Sequence, residues 1–461
     1  MCRRYHDLDR LLVATNKQDF EKETLVAADP QVASNGGHDL KPKRRRSLFF
    51  LIGSLAGGNL VAMVFRMIGG LITGRLVAPA TLGLFNGIGL VLGYVPFLQL
   101  GVLNGLNREL PYYVGKGDRQ RAEELAAAAQ AWALAVGCGV FVALLGVAGW
   151  QLAHGEMWKA DGWLANAILA LFLFYGTYYL QMTFRTSHDF ARLALVNVVE
   201  SAFGLVLLVL VAFLSFYGLC LRLVLMGIVS TALLYFWRPV RVGPKWSFRH
   251  FKHLLKIGVP IFGVGQIYAY WAVIDSTLVL KFAGTEGMGL YAMVILATTA
   301  LQLVPQAVGQ VVYPRMAQEY GKSERLSDLV QIARKPILIT SLGLIPVTAI
   351  AWLLVRPVME LLLPAYVDAV PAMYWALLLP FISSFQPVNA VFNVARRQDL
   401  HAAAVILGMA VYGGSLIWLI RDGVSLAAFP QAMLIGRAMF VVVCYLFIWR
   451  LLSRERHTVE A

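Results

Sequence analysis

Apolar residues run along this chain in blocks longer than the core of a soluble protein needs, separated by short polar segments rich in Gly, Pro, Lys and Arg. An α-helix rises about 1.5 Å per residue, so about 20 apolar residues cross the hydrocarbon core of a bilayer. By that measure the pattern predicts twelve spans, at 48–74, 83–105, 125–152, 162–184, 194–215, 218–237, 257–280, 289–312, 336–356, 370–394, 402–420 and 424–449. The tightest pair is 194–237, where only a short turn near Tyr217 and Gly218 parts two helices. Every loop between spans is short, so none has room for a soluble catalytic domain. The expected class is an all-α polytopic membrane protein.

Composition agrees. Hydrophobic residues make up 59% of the chain and charged residues 14%, against about 25% charged in soluble proteins. The net charge of +14 would suggest nucleic acid in a soluble protein. Here it is read as loop cations facing anionic headgroups, with no nucleic-acid partner. With the N-terminus placed inside, only Arg75, Lys159, Arg222, Lys281, Arg356 and Arg421 fall outside, while Arg66 and Arg437 fall within the membrane. All other lysines and arginines share the inner side. One missed span would scramble that split, so an even count with both termini cytoplasmic is expected. The polar stretch 1–46, ending in Lys41-Pro42-Lys43-Arg44-Arg45-Arg46, reads as a disordered cytoplasmic tail with a basic membrane-surface anchor. The four cysteines form no CxxC motif and no Cys/His cluster, so neither a disulfide nor a metal nor another cofactor is expected.

The chain also repeats itself. RLVAPATLGLFNGIGL at 75–90 aligns with KFAGTEGMGLYAMVIL at 281–296 at an offset of 206 residues, matching Gly83-Leu84 with Gly289-Leu290 and Leu90 with Leu296. The same offset carries Gly115-Lys116 onto Gly321-Lys322 and Arg119 onto Arg325. Spans 1–2 therefore correspond to spans 7–8. Six spans separate the copies, so both halves have the same orientation, related by an axis along the membrane normal.

The stretch GRLVAPATLGLFNGIGLVLGYVPFLQLGVLNGLNRELPYYVGKGD, 74–118, resembles the first hairpin of bacterial oligosaccharide flippases. These belong to the multidrug/oligosaccharidyl-lipid/polysaccharide (MOP) exporter superfamily. FKHLLKIGVPIFGVG, 251–265, resembles the start of helix 7 in that family. The resemblance covers roughly 47–450. It implies two six-helix lobes around a central cavity, and alternating access by rocking of the lobes. It also implies a lipid-linked glycan whose headgroup passes through the cavity while its lipid tail stays in the bilayer. The expected organisation is a tail at 1–46, a first lobe at 47–237, a cytoplasmic amphipathic linker at 238–256, a second lobe at 257–450 and a cytoplasmic tail at 451–461.

A charge at mid-bilayer costs about 2.5–3.5 kcal/mol on insertion scales, so each one there faces a cavity or a partner. Four stand out: Arg66, Glu200, Asp275 and Arg437. Asp275 maps onto Gly69 at the offset of 206, within about one helical turn of Arg66. Arg66 and Asp275 thus read as a facing pair across the cleft, for substrate or for a permanent ion pair. Arg66 and Arg437 suit phosphate, because a guanidinium donates a planar fork of hydrogen bonds. Glu200 could titrate or pair with a loop arginine. Tyr268 and Trp271 are candidate sugar-contacting aromatics, with interhelical packing as the alternative. Pro260 and Pro305 are candidate hinges. Together with Pro346, Pro380 and Pro387 they predict more bending in the second lobe. The linker interleaves Trp246, Phe248, Phe251, Leu254 and Leu255 with cations, a pattern expected to lie on headgroups or to couple the lobes.

No GxSxG, HExxH, Walker A or GxGxxG signature appears. The expected function is therefore not enzymatic. It is translocation of a polyprenyl-(pyro)phosphate-linked oligosaccharide across the bacterial inner membrane. The alternatives are a cation-coupled drug or metabolite antiporter of the same superfamily and a non-transporting scaffold for glycan assembly. Besides the glycolipid and the membrane lipids, glycosyltransferases or polymerases of glycan assembly are candidate partners.

Overall fold

The computed structural model describes residues 48–460 apart from 188, 324 and 396; the expected basic tail lies outside them. Within these bounds every regular element is a helix, with an irregular stretch at 237–247. In order, α1 is Leu48–Leu76. The second helix, α2, starts at Pro79–Tyr94 and continues through a 3-10 turn at Val95–Gln99 into Val102–Gly115. Then come α3, Arg119–Ala153, and α4, Met157–Phe172, which passes through a π-helical stretch at Leu173–Leu180 into Gln181–Thr186. Phe190–Val206 with Leu208–Leu214 forms α5, and Phe216–Phe236 forms α6.

The next helical run, Phe248–Ser323, contains one non-helical residue, Gly284 (φ 72°, ψ −170°). A straight helix would hold Asp275 and Tyr291 about 24 Å apart along its axis. Instead the Tyr291 hydroxyl donates to Asp275 Oδ2 at 2.6 Å, so the chain reverses at Gly284. The run is a hairpin of α7, 248–283, and α8, 285–323. Next, α9 spans Leu326–Leu362. The tenth helix, α10, is segmented: Pro364–Ala369, Val370–Ala376, Leu379–Ser383, Gln386–Asn389 and Ala390–Val394. The fold closes with α11, Gln398–Leu419, and α12, Ala428–Glu460. Splitting the hairpin turns eleven helices long and apolar enough to cross a membrane into twelve.

Local chemistry explains the boundaries. Pro79 sits in the first turn of α2, where its missing N–H is not needed. The Asp118 side chain accepts from the Arg121 N–H at 3.0 Å and caps α3. Ser215, at φ 48°, breaks α5 from α6, two residues before the expected turn. Bends occur in both lobes: in the second, α10 is broken into five short segments, one opening at Leu379 and Pro380. The first lobe has the 3-10 turn after Pro96, ending at left-handed Leu100 and Gly101, and the π stretch of α4. In the second lobe α9 stays one helix through Pro336, Pro346 and Pro357, and α8 runs on through Pro305. The side chains of Pro260 and Pro387 lie outside the described residues.

The two halves obey the offset of 206 in space as well as in sequence. A Cβ on Gly83 would overlap the Thr285 carbonyl oxygen, and a Cβ on Gly289 would overlap that of Pro79. Each contact becomes the other when 206 is added to one number and subtracted from the other. Likewise the approach of Gly87 to Leu280 is the counterpart of Met293 to Gly74. Exchanged pairs of this kind define a two-fold relation, here between α1–α6 and α7–α12 about an axis along the membrane normal. In lipid no hydrophobic effect draws helices together, so glycine lets the backbones pack closely there.

The symmetry fails at one place. The contact of α2 with α7 continues along the whole of both helices. From the Gly284 end it passes Gly93 against Val273, then Tyr94, whose hydroxyl shares a 2.7 Å hydrogen bond with Thr277. Tyr270 stacks on Tyr94 at 5.8 Å and donates to its carbonyl at 3.0 Å. Gly101 then meets Gly258, and Gly105 meets the Leu254 carbonyl. His253 Nε2 ends the seam on Glu109 Oε2 at 2.9 Å. Among the described residues the counterpart contact, α1 with α8, is made near the Gly284 end, at Gly70–Leu296 and Gly74–Met293. Beyond Met67 those two helices line a cavity instead. The residues at the two seams differ in kind. Where the closed seam has Tyr94 and Tyr270, the offset places Ala300 and Val64, which can neither stack as those rings do nor hydrogen-bond across the gap.

The linker packs largely against the first lobe. The Lys245 N–H donates to the Ala127 carbonyl of α3 at 3.2 Å. Trp132 of α3 meets Phe251 at 4.7 Å and Trp246 at 6.2 Å, and Leu254 is fully buried. Trp246 and Phe248 remain exposed on the other face of the pattern.

Candidate functional site

Three cavities adjoin one another, two between the halves and one within the second. One, about 550 Å³, lies between α1 and α8 and is lined by Asn59, Arg66, Thr299 and Gln306 among apolar residues. A second, about 600 Å³, is walled by α2, α4, α6, α7 and α8, with Asn86, Asn166 and Ser276 as its polar groups. The third, about 250 Å³, lies within the second lobe around Asp275 and Arg437. Thr299 and Gln306 line both the first and the third; Ala272, Ser276 and Ile295 line both the second and the third. The three thus form one central space whose mostly apolar walls carry a few polar groups.

Arg66 projects into this space from α1. Its Nε donates to the Ala62 carbonyl of its own helix at 3.3 Å, and Glu200 lies within electrostatic reach. Glu200 of α5 is itself held by the Ser230 hydroxyl of α6, which donates to Oε2 at 2.8 Å. It sits among first-lobe helices rather than on the cavity wall. The expected pairing of Arg66 with Asp275 is not made. Each lobe keeps its own acid: Glu200 near Arg66, and Asp275 near Arg437.

Asp275 is 4% exposed, yet its carboxylate is satisfied. Tyr291 of α8 donates to Oδ2 at 2.6 Å and Tyr412 of α11 donates to Oδ1 at 2.8 Å. A buried carboxylate needs such donors, because an unpaired charge in low dielectric is far costlier than a paired one. Arg437 of α12 supplies the nearby positive charge. Its Nη1 donates to the Tyr268 hydroxyl, and its guanidinium lies 4.9 Å from the Tyr268 ring and 5.3 Å from the Trp271 ring.

The two sequence-nominated aromatics therefore form a shelf for Arg437. Trp271 is fully buried between Gly408 and Gly436, against Tyr412 and Phe440, so no sugar stacks on it in this arrangement. The tyrosines that hold Asp275 were not singled out from the sequence. Tyr291 could have been found by folding the chain back at the Gly-rich segment near 284. Tyr412 had no such signal. Arg222, six residues into α6, donates to the Gly204 carbonyl of α5 at 2.8 Å.

Solved structures share this architecture. An inward-facing multidrug resistance MATE family transporter of the MOP superfamily superposes with a TM-score of 0.69 at 16% identity, over 86% of this chain and 96% of its own. An outward-facing structure of a MATE family transporter gives 0.65 at 16% identity, over 88% and 96%. A MOP superfamily transporter from Pyrococcus furiosus, described as having a binding pocket of reversed polarity, gives 0.61 at 17% identity, over 87% and 95%. The fold is that of MOP superfamily transporters. No curated protein sequence matches the chain. The profile of a family described as polysaccharide biosynthesis protein matches residues 117–371, and the chain belongs to that family.

Proposed function

We propose that the protein is a flippase that moves a polyprenyl-(pyro)phosphate-linked oligosaccharide from the cytoplasmic to the outer leaflet of a bacterial inner membrane. The observation that carries this reading is the one-sided opening of the central space. The seam of α2 with α7 stays shut along both helices, while α1 and α8 part around Arg66. A crevice between two membrane helices suits an amphiphile, whose phosphate can reach a guanidinium while its tail stays in lipid. Arg66 would take the phosphate by forked hydrogen bonds, and the amides of Asn86 and Asn166 would meet the glycan. Membership of a polysaccharide biosynthesis family supports a glycan substrate.

With the lysine- and arginine-rich loops inside, the Gly284 end is the outer one. Gly83, Gly289 and the Tyr366–Val77 hydrogen bond of 2.7 Å then close the outer side, and the crevice faces inward. Asp275 and Arg437 would sense the substrate charge from the adjoining second-lobe cavity.

Binding tests this directly. Purified protein in nanodiscs should hold a polyprenyl-pyrophosphate oligosaccharide at least about tenfold more tightly than the same glycan without its lipid, and Arg66→Ala should remove most of that preference. Equal affinity for the lipid-free glycan, or none for either, would contradict the proposal.

A further inference from the structure

The second of the central cavities, about 600 Å³, differs from its neighbours in charge. Arg66 lines the first, and Asp275 and Arg437 line the third. Among the described residues, no ionisable side chain lines the second. Its walls are largely apolar, with Leu90, Leu169, Leu223 and Ile295 among them. Ala272 in the same wall is the counterpart of Arg66 at the offset of 206, so the cavity reaches the depth of that guanidinium.

One oxygen in this wall lacks a partner. Asn166 of α4 is 1% exposed. Its Nδ2 donates to the Gly162 carbonyl of its own helix at 2.9 Å. A carbonyl can only accept, so that bond fixes which way the amide faces. The Oδ1 is thereby turned away, buried and without a hydrogen bond. A buried acceptor left unpaired is unfavourable, and this one has room beside it. Beyond its own helix, a Cβ on Gly89 of α2 would meet only Asn166 Oδ1, at 3.8 Å, so the glycine leaves space for a donor there. Asn86 lies three residues before Gly89, on the same face of α2, and brings an amide that can both donate and accept.

We propose that this cavity seats the sugar next to the pyrophosphate, and that it selects a neutral sugar bearing an acetamido group. The inference rests on the flippase reading above and adds the class of sugar to it. An acetamido group carries one N–H, one carbonyl and one methyl. The N–H donates to Asn166 Oδ1, the carbonyl accepts from the Asn86 amide, and the methyl lies against the leucines. A plain hexose has a hydroxyl in that position, which can reach Asn166 but leaves the apolar wall unfilled. A uronic acid brings a carboxylate into a space with no cation of its own, which is costlier still. Arg437 of the third cavity stands beside Asp275, whose charge opposes its own.

Binding by the full chain in nanodiscs tests this with four lipids that share one polyprenyl pyrophosphate: unglycosylated, or bearing an N-acetylhexosamine, a hexose or a hexuronic acid. The N-acetylhexosamine lipid should bind about fivefold more tightly than the hexose lipid, one net hydrogen bond's worth. It should bind at least about tenfold more tightly than the hexuronic acid lipid at neutral pH. Asn166→Leu should bring the N-acetylhexosamine lipid down to the hexose level and leave the unglycosylated lipid unchanged. Asn86→Ala should narrow the same preference, and serves if the leucine variant does not fold. Equal binding of the hexose or hexuronic acid lipid by the wild type would overturn the class of sugar. An undiminished preference in both variants would overturn the site. In either case, binding of the unglycosylated lipid leaves the flippase reading standing. No binding of any of the four lipids would overturn that reading, and this inference with it.

Discussion

Asp275 illustrates how a single intramembrane acid organises its surroundings. Two tyrosine hydroxyls from different helices converge on its two oxygens, and Arg437 stands behind them on a shelf of Tyr268 and Trp271. Tyr412→Phe removes one donor from a buried carboxylate and should destabilise the protein by about 1–3 kcal/mol, read as a lowered melting temperature in detergent. Asp275→Ala strands both hydroxyls and should cost more than Tyr412→Phe in the same measurement. The charges themselves were legible in the sequence, because Arg66, Glu200, Asp275 and Arg437 interrupt apolar runs. Their partners were not. Tyr291 and Tyr412 look like any aromatic in a membrane helix until the reversal at Gly284 and the placement of α11 bring them to Asp275. Equal depth alone suggested pairing Arg66 with Asp275, but depth says nothing about which lobe shields a charge.

At the scale of elements, the helix count and the repeat followed from hydropathy and one offset. What hydropathy misses are the interruptions: the 3-10 turn in α2, the π stretch in α4 and the segments of α10 change hydrogen-bond spacing without changing apolarity. Gly83 and Gly289 were visible as matching letters, but their role as the crossing point of α2 and α8 depends on contact. Gly83→Ala would place a Cβ on the Thr285 carbonyl and should part that end. Labelling of a cysteine at Val77, which is 3% exposed in the intact protein, by a membrane-impermeant maleimide should then rise several-fold. The linker has its own dependence on pH. His250 accepts from Arg121 Nη1 at 2.6 Å, with Glu124 at 3.4 Å and Arg249 and His253 nearby. Burial, then Arg121, lowers its pKa below the ordinary 6.5; Glu124 opposes the shift. The neutral ring is thus the form that docks. Its contribution is intact above pH 6.5 and is lost as the pH falls through the lowered value. Protection factors of the amides in 238–256, corrected for the pH dependence of intrinsic exchange, should fall as the pH is lowered below the ordinary 6.5, and His250→Gln should abolish that fall.

For the whole molecule, the two-fold relation is a frame that side chains then break. Aromatic and hydroxyl residues close α2 on α7, and the apolar counterparts of Tyr94 and Tyr270, Ala300 and Val64, offer α1 and α8 no such bond. The lobes should therefore pivot about the closed seam. A disulfide between Tyr94→Cys and Thr277→Cys, in a background lacking native cysteines, should leave transport at least half intact, on the order of the wild-type rate. A bismaleimide bridging Leu60→Cys and Leu303→Cys, which line the crevice from opposite sides, should abolish it. The most direct test of the central claim is translocation in sealed liposomes. The protein is reconstituted with a polyprenyl-pyrophosphate oligosaccharide labelled in one leaflet, and the label is followed by an impermeant glycan-modifying enzyme. The account predicts transfer by the wild type, and loss of at least about tenfold in rate with Arg66→Ala at unchanged folding. No transfer by the wild type, or an undiminished rate in Arg66→Ala, would contradict it.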